Sequence, residues 1–505
     1  MAKYKTTDVS AGQGLFLSVN LREQLLPGSF EYMLDDLIGT KIDMSIFDKN
    51  YMNDKTGASA VPPSVLIKLI IYGYQNGCKS SRKIWALSRE NIIAKALTGD
   101  MEIHWTTIAD FISGNSDDFE KIFTEVLVYC NELALIGGDD FAVDGLRLPS
   151  NASMDMSGTR EELEKRVEMY RNMAEKHLTK HKNADAEGRA DESNKKHFQE
   201  RQAHLSRRIE KISRFLETMN EKPGTKKEVK SNVTDNESAM IHSSKGYLQG
   251  YIGIAVSDSK NQVIVAAEAV GTANEGEHLP DLIDQTLDNL EKASVKRSGG
   301  KPPVFMADKN YFSEDNFLAC QKRNVEAIIP GARGKKRADA DGNKKYDAND
   351  FTYNERDKTC VCPYGKNLEY KGTTKLGGEH EIYQASLTDC KSCPCFSLCS
   401  WSEKSQGEIV QGRKLLIVKG NKPGEPVAKL CKMMYEKMAT EEYKAKYSQR
   451  IQIVEPVFAN IRHCKGLDRF TMRGKGKVNG QWRLYCIVHN LGKCLNGYNE
   501  KKKGA

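Results

Sequence analysis

The stretch from Arg450 to Arg462, RIQIVEPVFANIR, constrains the chain more than any other. Ile451, Ile453, Val454, Val457, Phe458 and Ile461 recur at spacings of three, four and seven, which places the stretch on a helix with one face in a core. Glu455 stands among them, and a carboxylate embedded in an apolar helix is expensive unless something needs it. Pro456 is awkward inside a helix but tolerable in its first turn. Arg450 precedes Glu455 by five residues and Arg462 follows it by seven, about two helical turns on. One helix thus shows an acid to a metal and a base to an anion.

A chain of 505 residues has room for roughly two to four domains. The net charge of +8 hints at an anionic partner. The N-terminus, MAKYKTTDVS, has no apolar signal core. The nearest long apolar run, Val65 to Tyr72, is broken by Lys68 and is too short to span a bilayer. A soluble cytosolic protein without a membrane segment is expected. Thirteen cysteines are an odd number for a disulfide framework, and clustered cysteines in a reducing compartment favour metal.

Residues 1 to about 60 carry no clear domain signal. From Val61 to Gly137 the pattern is helical. PPSVLIKLIIYGYQNG opens on Pro62 and Pro63 and closes on Gly77. SSRKIWALSRENIIAKALTG reads as a further helix, with Ser80 or Ser81 as N-cap and Gly99 past its end. Thr107 and Asp110 resemble a capping box. The basic residues Lys79, Arg82, Lys83, Arg89 and Lys95 suit a helical DNA-binding module or, as readily, the solvated face of a plain bundle.

DDFAVDG reads as a short strand ending on Asp144, with Gly145 turning the chain. Residues 159 to 222 form an amphipathic helical hairpin. GYLQGYIGIAVSD and QVIVAAEAV form a β-hairpin, followed by a helix from about Leu279, then PVFMAD, a strand ending on Asp308. This α/β order predicts a mixed sheet flanked by helices. Asp144 and Asp308 then share one sheet edge if their strands are neighbours.

Residues 331 to 350 read as a mobile basic loop. Six cysteines follow within forty residues. Cys362, Cys390, Cys393 and Cys399 offer four thiolates for a closed structural Zn²⁺ site; reduced, unliganded thiols are the alternative. Trp401 packs on that site or stacks on a base. Residues 450 to 505 carry twelve basic side chains against three acidic ones. Lys465, Arg469 and Arg473 lie in the interior of this stretch, which can track a phosphate backbone.

Four parts follow: a helical DNA-binding domain (1–137), a first core part (138–330) with a hairpin insertion (155–230), a Cys-rich insertion (331–445), and a last core part (446–505). Three carboxylates on separate elements can hold one or two Mg²⁺ or Mn²⁺ ions. Two ions about 3.5–4 Å apart serve phosphodiester cleavage or transfer.

FAVDGLRLPSNAS around Asp144, MADKNYFSEDN around Asp308 and RIQIVEPVFANIRHCKGLDRF around Glu455 together resemble the DDE transposases of bacterial insertion sequences. The likeness is to the IS1182 group within the wider IS4/IS5-like set. It covers most of the chain, including the helical stretch 61–137 and the CPxG…CxxCP…C segment. It implies an RNase H-like core, with Asp144, Asp308 and Glu455 as metal ligands. It also implies a Tyr-x-x-Arg…Glu…Lys signature carried by Tyr447, Arg450, Glu455 and Arg462 toward DNA. Two departures stand out: Arg450 is five rather than four residues before Glu455, and Arg462 replaces the usual Lys. The implied function is binding of terminal inverted repeats in double-stranded DNA, metal-dependent cleavage and strand transfer. Two ends held together imply a homodimer, in a bacterial cytoplasm at the nucleoid. The alternatives are a nuclease without strand transfer and a catalytically idle DNA-binding protein; the intact acids argue against the latter.

Overall fold

Helices come first in this computed structural model, which describes residues 20–51, 59–186, 192–220, 222, 229–243, 246–297, 300–331, 346, 350–354, 359–375, 379–399, 411–418 and 429–503. Most of the expected basic loop at 331–350, and Trp401, lie outside them. α1 (Phe30–Thr40) is capped by the Ser29 hydroxyl and falls where the sequence shows no element. α2 (Pro63–Gln75) opens at the proline pair. The next stretch is two helices rather than one, α3 (Ser81–Glu90) and α4 (Ile92–Thr98). Asn91 divides them: its backbone is extended, and its side chain accepts from the Ile93 and Ala94 N–H groups at 2.9 and 3.0 Å. A side-chain cap thus replaces continued helix. Gly99 closes α4 at φ +65°. α5 (Trp105–Gly114) is capped by His104, not by Thr107, and α6 (Phe119–Glu132) follows.

β1 (Asp140–Pro149) does not end on Asp144. β2 (Ser157–Gly158), α7 (Arg160–Ala186), α8 (Glu192–Thr218) and β3 (Ser231–Asn232) form the expected hairpin and its base, with its own core of Leu163, Val167, Leu205 and Ile212. β4 (Ala239–Ser243), β5 (Gly246–Asp258), β6 (Ile264–Val270), α9 (Leu279–Lys292), β7 (Val304–Met306), α10 (Glu314–Lys322) and β8 (Glu326–Ile328) complete the main sheet. Its order is β4-β5-β1-β7-β8, with β6 also on β5. β1 pairs antiparallel with β5 from Phe141 to Pro149, so Gly145 lies inside a strand rather than at a turn. β1 and β7 are parallel, and β6 runs in the same direction because both it and β1 oppose β5. The chain therefore leaves β6 and β7 at one sheet edge. This mixed sheet with helices is the architecture expected.

The Cys-rich part is a second sheet of five antiparallel strands: β9 (Thr352–Asn354), β10 (Thr359–Val361), β11 (Asn367–Lys375), β12 (Glu379–Ala385) and β13 (Lys414–Val418). α11 (Leu387–Lys391) and α12 (Phe396–Cys399) precede β13. This sheet has its own small core around Phe351, Leu368 and Tyr383.

α13 (Lys429–Ala439) leads into α14 (Glu441–Ala459), which carries Glu455. α14 runs through Pro456, which sits in its last turn, not its first. Pro456 has no N–H for the carbonyl of Gln452, and that carbonyl accepts from Gln262 Nε2 at 2.9 Å instead. Ile453 and Val454 pack on Ala142, Val304, Met306 and Ile328 of the sheet. A π-turn (Asn460–Cys464) ends the helix.

α15 (Lys475–Lys503) lays its apolar face in the core, while Lys475 and Lys477 in its first turn, and Arg469 and Arg473 just before it, stay exposed. Trp482, Tyr485, Ile487 and Leu491 are fully buried, Trp482 Nε1 donates to Ile254 O at 2.9 Å, and Tyr485 stacks on Tyr74 at 4.3 Å. Burial on this scale is worth roughly 2 kcal/mol per large side chain. One continuous buried cluster joins α1–α6, the main sheet and α15. Among the described residues no helix is long and apolar enough to cross a membrane.

Candidate active site

Register brings the two aspartates together. The last paired residues of β1 and β7 are Ala142 and Met306, and Asp144 and Asp308 each stand two residues further on. Asp144 lies within β1 because β5 holds that strand past it. Asp308 caps a short 3₁₀ turn, accepting from Asn310 N through Oδ1 at 2.8 Å and from Asn310 Nδ2 through Oδ2 at 3.0 Å. Both line a cleft of about 840 Å³ that Glu275, Arg147 and Arg462 also line.

Arg450, 7% exposed, reaches in from α14, with Nη2 2.8 Å from Asp144 Oδ2 and 3.3 Å from Val143 O. Burial raises the Asp144 pKa above the ordinary carboxylate range, and the Arg450 charge opposes that rise. Tyr447 lies alongside; burial raises its hydroxyl pKa, Arg450 opposes, and Asp308 and Asp144 add.

Glu455 does not line the cleft. It is exposed, on the flank of α14. Arg462, also exposed, lies in the π-turn past α14 and reaches the cleft. Arg469 and Arg473 are exposed and tie their segment to the end of β1, donating to Ser150 O at 2.9 Å and Asn151 O at 2.8 Å. Lys465 is a correction: it is 4% exposed and its Nζ donates to Gln75 Oε1 at 2.6 Å, which removes it from any phosphate.

A buried acid, Glu275, went unnoticed in the sequence. Its Oε1 accepts from Arg147 Nη2 at 3.1 Å and from Asn310 Nδ2 at 2.9 Å. Burial raises its pKa; Asn310 and Arg147 oppose, while Asp308 and Asp144 add. Its position was legible in part, since it follows β6 at the edge where Asp308 follows β7.

The expected zinc site is not assembled. Cys399 is pushed up to about 11 by burial, with Arg413 opposing and Cys393, Cys362 and Cys390 adding, so the four thiols are neighbours. Cys390 and Cys399 are buried within the small apolar core, while Cys362 and Cys393 are half-exposed. Among the described residues no group of three or more His, Cys, Asp or Glu side chains is arranged to hold a metal ion. The Asp144–Asp308 pair still fits Mg²⁺, which takes one or two carboxylates and completes its shell with water and phosphate.

Two family models match the chain. One, described as a transposase DDE domain, covers residues 361–495 and so includes β11–β13 of the Cys-rich sheet, Glu455 and most of α15. The other, a transposase domain (DUF772), covers residues 19–114, the first five helices. The matches support a DDE transposase. No curated protein matches the chain.

Proposed function

We propose that the chain is the transposase of a bacterial insertion sequence of the IS1182 group, with an RNase H-like core. It binds the terminal inverted repeats of its element, cleaves there with Mg²⁺ or Mn²⁺, and joins the 3′ ends to target DNA. The observation that carries this reading is the placement of Asp144 and Asp308 at one level on neighbouring parallel strands, facing a cleft beside Arg462. Both transposase matches support it.

In this mechanism Asp144 and Asp308 would hold the cation, and Glu455, exposed on the flank of α14 outside the cleft, would have to reach it from there to serve as a third ligand. The cation, when bound, polarises the scissile phosphodiester and lowers the pKa of the attacking water or 3′-hydroxyl. Arg450 anchors Asp144 and keeps its carboxylate facing the cleft. Arg462 contacts the phosphate next to the scissile bond, and Arg469, Arg473 and Tyr447 extend that contact. On α3 and α5, Arg82 lies 4.6 Å over Trp105 and Arg89 5.1 Å over Trp85, a rigid basic face suited to duplex DNA. Two ends held together call for a homodimer, acting in the cytoplasm at the nucleoid.

The test is cleavage of a DNA fragment carrying the gene's own flanks by the purified chain with Mg²⁺ or Mn²⁺, beside Asp308→Asn. Nicks at the repeat ends that disappear in D308N are expected. Tight binding without cleavage would mean an idle DNA-binding protein. Cleavage without joining would mean a nuclease, and cleavage that persists in D308N would overturn the assignment of the acids.

A further inference from the structure

Glu275 is only 3% exposed, yet it lines the cleft that holds Asp144 and Asp308. The Asn310 side-chain amide donates both to Glu275 Oε1 at 2.9 Å and to Asp308 Oδ2 at 3.0 Å, so one group joins the buried acid to the cleft acid. Glu275 Oε2 is buried, and among the described residues it has no hydrogen-bond partner. It lies over Gly145, where an added Cβ would stand 2.1 Å from Oε2. Gly145 N in turn donates to Asp144 Oδ1 at 2.9 Å. Of the three carboxylates, Asp144 is paired with Arg450 and Glu275 with Arg147 through Oε1 alone, while Arg462 lines the cleft from the π-turn. A buried carboxylate oxygen without a donor is costly unless a donor comes with the ligand.

We infer that Glu275 is a positioning acid of the divalent-cation site. It orients Asp308 through Asn310, and its Oε2 accepts a hydrogen bond from water in the hydration shell of the cation that Asp144 and Asp308 hold. Mg²⁺ and Mn²⁺ bound by few carboxylates keep several such waters. Gly145 is required because any side chain there would occupy the place of Oε2. The inference rests on the cation reading given under Proposed function.

The test is calorimetric titration of Mn²⁺ into the purified full chain without DNA, comparing the unmutated protein with E275Q, G145A and D308N. Outer carboxylates of metal sites are worth about 10–100-fold in affinity, and a loss of that size is expected in E275Q and in G145A. E275Q also removes the charge that Arg147 Nη2 meets at 3.1 Å, so Mn²⁺ affinity is read on protein shown to be folded by its melting curve. E275Q that binds Mn²⁺ like the unmutated chain would overturn the inference, whatever its melting temperature. Should E275Q fail to fold, E275D keeps the charge on a shorter side chain; unchanged Mn²⁺ affinity in folded E275D would overturn it equally. If D308N also binds Mn²⁺ unchanged, the cation reading of the cleft fails as well. If D308N loses binding and E275Q does not, only the role of Glu275 fails.

Discussion

Two regions of this chain read as metal sites in the sequence, the Asp144–Asp308 cleft and the cysteine cluster, and they fold very differently. In the cleft Asp144 stands on β1, whose register is held by neighbours on both sides, Asp308 stands two residues past β7, and donors meet them: Arg450 from α14, Asn310 after β7. In the second sheet the thiols lie close together, but Cys390 and Cys399 serve as small apolar residues beneath Leu368 and Tyr383. Spacing along the chain was the stronger signal at the cysteines and register the stronger determinant at the acids. A short motif specifies nearness; strand pairing specifies direction.

The largest effect that can break this contrast is chemical. D308N should lower metal-dependent DNA cleavage by several kcal/mol of transition-state stabilisation, roughly a thousandfold or more, whereas C390S should leave cleavage within the error of the same nicking assay. Next comes R450M. It strands Asp144 beside the sheet, and removing one partner of a buried pair costs about 3 kcal/mol. Urea unfolding should show that loss, and the double variant D144N/R450M should recover much of it.

Smaller effects separate the two basic residues near the π-turn. R462A should weaken duplex binding in a salt-dependent manner, by about one phosphate contact in the salt slope. K465M should leave that binding unchanged. Burial lowers the Lys465 pKa from 10.5 to about 8. A depressed folded-state pKa adds stability above the unfolded value and loses it as pH falls through the folded one. Stability should therefore rise from about pH 8 to 10.5, and K465M should flatten that rise in unfolding curves. The smallest expected effect is none: a zinc chelator should not shift the melting temperature, because Cys390 and Cys399 are already buried in the small apolar core. A clear drop would restore the cysteine cluster as a metal site.

Local patterns carried much of the fold. The proline pair at α2, the hairpin of α7 and α8, the β5–β6 pair and the strand before Asp308 all follow from periodicity and turn residues. Errors arose where one residue did a second job. Asn91 capped a new helix inside what reads as one, and Gly145, an obvious turn former, stayed in β1 because β5 pairs with that strand on both sides of it. Pro456 sat late in α14 because Gln262, remote in sequence, serves the carbonyl it leaves open. The basic count at 450–505 spans two environments: Lys465 is buried and α15 packs its apolar and aromatic side chains into the core, while Arg469, Arg473, Lys475 and Lys477 stay exposed.

By itself, then, the sequence determined which segments are helix and strand, that a mixed sheet carries acids at its edge, and that a family of DNA-cutting enzymes is the one it resembles. Tertiary structure alone decided that Asp144 and Asp308 stand level, that Arg450 meets Asp144, that Lys465 turns inward and that Glu275 joins the cleft. The physical reason is range. Periodicity and capping act over a few residues, while a strand's neighbour and a buried charge's partner come from segments hundreds of residues away, and only the folded core sets them side by side.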